Sequence, residues 1–177
     1  MEKLVSNSGL EFIILSREGK KCTIQFVETG YTRRANIDNA RQGKVRDLYA
    51  ISVYGVGYYG EFDKVHYWKQ AKQLWQNMLK RCYCEKDPKG YTKWGTKVDK
   101  RWHCFSNFLS DLPKLSNFEK WLEGQRTKSD KYNLDKDTKY PNNNVYSRET
   151  CTFILESVNK SLGAKTRLDG YFRTINK

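Results

Sequence analysis

The segment 66–86, HYWKQAKQLWQNMLKRCYCEK, repeats its apolar side chains with the period of a helix. Its apolar positions fall three, four and seven residues apart, at Trp68, Ala71, Trp75, Met78, Leu79 and Cys82. Side chains with this spacing share one face of an α-helix, so the segment predicts an amphipathic helix. The other face carries lysine, arginine and glutamine, which either remain solvated or follow a row of phosphates.

Aromatic residues supply the buried area that this polar chain needs. Of its 177 residues, 38% are hydrophobic and 30% are charged, yet it has 5 Trp, 12 Tyr and 8 Phe. Large rings bury enough surface to argue against disorder. Two further aromatic stripes predict helices at 100–112 and 116–123, the second with Ser116 as N-cap and Glu119 in the capping-box position.

The first sixty residues favour β structure. Two β-rich runs, 11–15 and 21–30, flank a turn at Gly19, and alternation in the second places Cys22, Ile24 and Phe26 on one face. The glycines of YGVGYYG then suit a hairpin or linker better than a nucleotide cradle. We therefore expect an α+β protein, with a small β module at 1–60 and a helical domain at 61–177.

The charge is strongly positive and unevenly distributed. The net charge is +13, and residues 66–177 hold 23 Lys and Arg against 12 Asp and Glu. Such a surplus predicts attraction to a polyanion, and aromatics interleaved with bases favour nucleic acid over a membrane. DNA is the expected partner, with RNA or an acidic protein as alternatives. The candidate phosphate-contacting residues are Arg33, Arg34, Arg41, Arg46, Lys69, Lys72, Lys80 and Arg81.

Neither a signal peptide nor a membrane-spanning run is evident, so a cytoplasmic location is expected. The five cysteines are then interpreted as reduced thiols. Cys82 and Cys84 have one residue between them, and His103 and Cys104 are adjacent. Neither spacing is that of a zinc knuckle, so zinc is not expected.

Residues 132–161, YNLDKDTKYPNNNVYSRETCTFILESVNKS, predict a strand, a long loop, a strand at 151–155 and a short helix at 156–162. In that order, a carboxylate on the first strand and a side chain on the helix can converge. Asp135 and Asn159 would then offer oxygen ligands to a divalent cation, which such hard ions prefer. The alternative is a solvated strand end with local ion pairs.

At these residues the chain resembles HNH-type nucleases with the ββα-metal fold, found in phages and prophages. The resemblance extends to W-x2-M-L-x-R-C-Y at Trp75–Tyr83 and V-x3-W-x2-F-x2-F at Val98–Phe108. It implies a C-terminal ββα-metal motif and metal-dependent cleavage or nicking of DNA with Mg²⁺ or Mn²⁺. It also implies Asp135 and Asn159 as metal ligands and Asn144 as the asparagine that structures the loop.

One residue departs from the family pattern. The family's general base is a histidine directly after the strand aspartate, and here that residue is Lys136. Lysine is ordinarily protonated at neutral pH and is a poor base, although its charge could stabilise a phosphorane. The candidate catalytic residues are therefore Lys136 and His103, which could reach the site only if the tertiary fold brings it there. A DNA-binding protein that has lost the chemistry, or a phage factor that binds a host protein, remains an alternative.

Overall fold

The computed structural model describes residues 3–86, 95–128 and 130–161. The chain forms two compact units, Met1–Phe62 and Asp63–Lys177. The first contains a four-stranded antiparallel sheet, and the described part of the second contains helices with two short β pairings. The α+β class predicted from the sequence is therefore confirmed.

The sheet of the N-terminal unit follows chain order. Its strands pair β1-β2-β3-β4, all antiparallel, and a five-residue helix follows the last strand. The elements are β1 (Lys3–Val5), β2 (Glu11–Glu18), β3 (Lys21–Phe26), β4 (Thr32–Asn36) and α1 (Ile37–Arg41).

Strand β3 separates a buried face from a solvated face, as its sequence predicts. Cys22, Ile24 and Phe26 are each no more than 2% exposed, and Phe12 of β2 lies opposite Phe26. Helix α1 closes this core with Ile37 and Ala40. Asn36 caps the helix, because its side-chain oxygen accepts hydrogen bonds from the N–H groups of residues 38 and 39.

The described part of the C-terminal unit begins with the long amphipathic helix, and its last elements are a strand pair and a further helical turn. Its α-helices are α2 (Trp68–Tyr83), α3 (Phe105–Asp111) and α4 (Phe118–Thr127). Its strands are β5 (Lys97–Val98), β6 (Tyr132–Asp135), β7 (Val145–Tyr146) and β8 (Thr152–Leu155). Short 3-10 helices at Lys100–His103 and Leu112–Lys114 flank α3.

Helix α2 buries the face that its periodicity predicts. Ala71, Trp75 and Leu79 have no exposed surface, and Met78 and Cys82 are also buried. The indole N–H of Trp75 donates to the carbonyl of Trp102 at 2.7 Å, and its ring lies 5.4 Å from that of Phe105. The aromatic stripes of the sequence therefore form a core.

Two details of the predicted helices are wrong. The segment 100–112 is not one helix, because Cys104 is extended and separates a 3-10 turn from α3. Ser116 is not an N-cap: α4 begins at Phe118, after Asn117 in the left-handed conformation with a φ of 62°. The carbonyl of Ser116 accepts the N–H of Phe153 at 3.1 Å, which joins this turn to β8.

The C-terminal stretch contains the predicted strands and helical turn. β6 and β8 pair antiparallel, with Asp135 opposite Thr152 and Tyr132 opposite Leu155. Residues 156–161 are helical, and Leu162, the last residue of the predicted helix, lies outside the described residues. Trp121 of α4 stacks on Phe153 of β8 with ring centroids 5.0 Å apart, which anchors the strand pair.

Candidate functional site

Asp135 ends strand β6 and starts the loop that follows it. The residue is 9% exposed. Its Oδ2 accepts three hydrogen bonds, from the N–H of Asp137 at 3.0 Å, the N–H of Thr138 at 2.7 Å and the Thr138 hydroxyl at 2.6 Å. This carboxylate oxygen stabilises the turn by satisfying two backbone donors.

Lys136 is buried, and its ammonium closes the same loop. The side chain is 8% exposed. Its Nζ donates to Oδ1 of Asp137 at 2.6 Å and to the carbonyl of Asn143 at 2.8 Å, and it lies 5.9 Å from the centre of the Tyr146 ring. The lysine therefore joins the beginning of the loop to its end.

The loop asparagine with a structural role is Asn143, rather than the predicted Asn144. The Asn143 side-chain amide donates to the carbonyls of Lys136 and Val145 at 3.0 and 2.7 Å, and its oxygen accepts the N–H of Val145 at 3.2 Å. Asn144 is exposed and contributes its backbone carbonyl, which accepts the N–H of Lys97 at 2.8 Å. The sequence NNN gives no signal to distinguish adjacent asparagines.

The two predicted metal ligands have suitable oxygen atoms but share no contact. Oδ1 of Asp135 makes no hydrogen bond to a described residue, and the half-buried side chain of Asn159 makes none either. Asp135 opposes the first residue of β8, whereas the helical residues begin beyond Leu155, at the other end of the pair. Mg²⁺ is often bound by only one or two carboxylates, with water and phosphate as its other ligands. The side-chain oxygens of Asp135 and Asn159 are therefore of the chemical type that Mg²⁺ prefers.

His103 is held by contacts with residues other than Asp135 and Lys136. Its Nε2 lies 3.1 Å from the Tyr83 hydroxyl and 3.2 Å from the Val98 carbonyl. The Tyr83 hydroxyl also accepts the N–H of Val98 at 3.0 Å. This cluster joins the end of α2 to β5, and it gives the imidazole a structural position.

All the charged side chains of helix α2 are cations. The helix has no Asp or Glu, and its charged side chains are Lys69, Lys72, Lys80 and Arg81. Lys69, Lys80 and Arg81 are exposed, while Lys72 is half-buried. Lys64 and Lys69 both approach the ring of Trp68, at 5.8 and 5.9 Å. The predicted phosphate-contacting residues of this helix therefore share its solvent side.

The four predicted arginines of the N-terminal unit have different surroundings. Arg34 pairs with Glu18 at 2.7 Å, with both side chains exposed. Arg33 is half-buried and donates to the carbonyl of Arg46 at 3.4 Å, and the guanidinium of Arg46 lies 4.4 Å from the centre of the Tyr59 ring. Arg41 is exposed in the last turn of α1.

Asp111 is a buried carboxylate that no sequence pattern predicted. It has no exposed surface and accepts hydrogen bonds from Arg101, Trp102 and Lys114 at 2.8 to 3.4 Å. Burial alone would raise the pKa of Asp111, but these donors outweigh it and hold the pKa below its ordinary value. The contacts are structural, since they tie α3 to both flanking 3-10 helices.

Comparison with protein-family models, curated proteins and solved structures gives no match to this chain. The described residues contain no group of three or more His, Cys, Asp or Glu arranged to hold a metal ion. None of the described helices combines the length and apolar character required to cross a bilayer.

Proposed function

We propose that this chain is a DNA-binding protein of HNH-like design that binds DNA without cutting it. The single observation that carries the proposal is the buried ammonium of Lys136, which is held by Asp137 and the Asn143 carbonyl. On this proposal, the C-terminal ββα segment has kept the family scaffold and lost the general base. Its setting would be the host cytoplasm, as for the phage and prophage proteins it resembles.

Lys136 is poorly suited to both catalytic roles. A general base must have a free lone pair within reach of the attacking water. A neutral amine here would give up its ion pair with Asp137, which is only 2.6 Å away. Electrostatic stabilisation of a phosphorane needs a charge that faces the substrate. This ammonium is instead directed to two partners within its own loop.

Affinity for DNA is supported by the charge distribution. The surplus of Lys and Arg lies mainly in residues 66–177, and α2 carries four cations and no carboxylate. Cations that meet phosphates release counterions, so DNA affinity should fall steeply with salt. A base-specific contact is not required for this mode of binding.

Two assays on the full chain test the proposal. Binding of a fluorescein-labelled duplex is followed by anisotropy across a KCl series, and supercoiled plasmid is incubated with Mg²⁺ or Mn²⁺. We expect salt-dependent binding and no nicking. Lys69→Gln combined with Arg81→Gln should lower the slope of log K against log salt by about 1.8, if each residue meets one phosphate.

The matched control removes the same charge from exposed residues outside α2, as Lys120→Gln with Lys131→Gln. If both pairs change the slope equally, net charge rather than the α2 surface determines binding. Absence of DNA binding would refute the proposal. Pull-down of an acidic protein that survives nuclease treatment would then favour the protein-binding alternative.

A second candidate function is metal-dependent nicking, and one observation favours it. Oδ1 of Asp135 has no hydrogen bond to a described residue, so it could hold Mg²⁺ or Mn²⁺ together with water and phosphate oxygens. The metal would supply charge stabilisation at the scissile phosphate. Nicking that is abolished by Asp135→Asn would establish this function and reject binding without cleavage. The Asn side chain keeps an oxygen acceptor for the turn, so the fold should survive the substitution.

A further inference from the structure

A basic cleft lies along the outer strand of the N-terminal sheet. Its volume is about 540 Å³, and it is lined by Lys21, Arg33, Arg34, Ala35, Asn36 and Asn39. Lys21 pairs with Asn36 across β3 and β4, and Arg34 lies two residues along β4 on the same face. Arg33 belongs to the other face, so the cleft follows the edge of β4 rather than one side of the sheet.

The lining of the cleft offers donors to an anion. It contains three cationic side chains and no carboxylate. The side chain of Lys21 is exposed and makes no hydrogen bond or ion pair with a described residue. The side-chain oxygen of Asn36 is used by the cap of α1, so only its NH₂ group can meet a ligand. Two asparagine amides and three cations suit phosphate oxygens.

The ion pair of Arg34 does not close the cleft. Glu18 and Arg34 have side-chain exposures of 77% and 68%, and ion pairs this exposed contribute little to stability. Arg34 can therefore exchange this partner for a phosphate at little cost. Arg33 is held by the Arg46 carbonyl, which keeps its guanidinium near the edge of the strand.

We propose that this cleft binds the phosphodiester backbone of DNA, so that the N-terminal unit makes its own contact with the nucleic acid. The inference rests on the proposed function. Lys21 and Arg34 lie two residue pairs apart along the strands, about 7 Å. DNA carries one phosphate per 3.4 Å of axis on each strand, so about 7 Å corresponds to two phosphate steps, and one strand can offer a phosphate to each cation. Because the donors lie along an open edge, a chain of phosphates suits them better than one small anion.

Charged residues on an outer strand have another role, because they prevent edge-to-edge pairing of sheets. That role requires no DNA contact. It predicts that removal of the charges leaves DNA affinity unchanged relative to a charge-matched control and promotes self-association. The two explanations therefore differ in a measurable way.

The test uses the full chain carrying Lys21→Gln and Arg34→Gln, with Arg17→Gln and Lys44→Gln as the charge-matched control. Arg17 and Lys44 are exposed on the same unit and do not line the cleft. Affinity for a labelled duplex is measured over a KCl series, and mass is measured by light scattering. We expect the cleft variant to lose about 1.8 from the salt slope and to bind several-fold more weakly than the control.

The outcomes distinguish DNA binding by the cleft from protection of the sheet edge. A cleft variant that binds like the control, while the native chain binds well, would overturn the second contact and leave the proposed function intact. A native chain that binds no DNA would overturn both. A cleft variant that self-associates with unchanged DNA affinity per chain would assign these charges to protection of the sheet edge.

Discussion

The ammonium of Lys136 lies 2.8 Å from the carbonyl oxygen of Asn143, seven residues further along the chain. This bond spans a loop whose beginning is organised by the neighbouring residue, Asp135. The carboxylate turns the chain out of β6, and the ammonium then holds the returning chain. Two adjacent residues, one a predicted metal ligand and the other a predicted catalytic residue, therefore stabilise the loop.

Removal of the ammonium should loosen the loop. Lys136→Met keeps most of the buried stem and deletes both hydrogen bonds of Nζ. Hydrogen bonds to a charged group contribute about 1.5 to 3 kcal/mol, so we expect the free energy of unfolding to fall by about 2 kcal/mol. Urea denaturation measures the loss. Lys139→Met, an exposed lysine in the same loop, is the control and should have little effect.

Substitution by alanine should destabilise the fold much more at Asn143 than at Asn144. Asn143→Ala deletes three side-chain hydrogen bonds and leaves backbone groups of residues 136 and 145 without these partners, which should cost about 1 to 3 kcal/mol. Asn144→Ala should stay within about 0.5 kcal/mol, because its side chain is exposed. Thermal and urea unfolding distinguish them. Equal losses would show that Asn143 does not organise the loop.

Asp111 should make the chain sensitive to acid. Its pKa is lowered in the folded chain relative to the ordinary value of 3.8, so the stability it contributes is present above that value. The contribution is lost as the pH falls through the lowered pKa. Asp111→Asn should cost about 2 kcal/mol at neutral pH, because the buried acceptor loses its charge, although Arg101 and Lys114 are each about half exposed and can be rehydrated.

The same substitution should flatten the dependence of stability on pH below about 4, since its titrating carboxyl is gone. Asp63→Asn, at an exposed position, is the matched control and should retain the native acid profile. A variant of Asp111 with an unchanged acid profile would contradict the assignment.

Periodicity predicted the parts of this fold that depend on a repeating face. The buried side of α2 and the alternation of Cys22, Ile24 and Phe26 follow from spacings of about 3.6 and 2 residues. The prediction of an N-cap at Ser116 was wrong because it rested on a local pattern and not on a repeating face. A capping box is a local pattern, whereas here the chain is turned by Asn117 in the left-handed conformation and is joined to β8 through the Ser116 carbonyl, so the helix begins two residues later.

The candidate site was less predictable from the sequence. Its contacts join residues whose spacing follows neither the helical nor the strand repeat. Lys136 and Asn143 meet only because a loop closes, and nothing in the sequence NNN selects the middle asparagine. Asp111 lies ten residues from Arg101, and its burial depends on how α3 packs. A lone aspartate following an aromatic run was the available signal, although it does not identify the partner.

The five cysteines should react at very different rates in the native chain. Burial raises the pKa of Cys151 to about 12 and that of Cys82 to about 11, which leaves almost no thiolate at neutral pH. Cys22 and Cys104 are also buried, whereas Cys84 is half-buried. We therefore expect a thiol-reactive reagent to modify Cys84 first, as followed by mass spectrometry of digests. Cys84→Ser should remove the fast phase, and rapid modification of Cys151 would show that the β6–β8 pair opens readily.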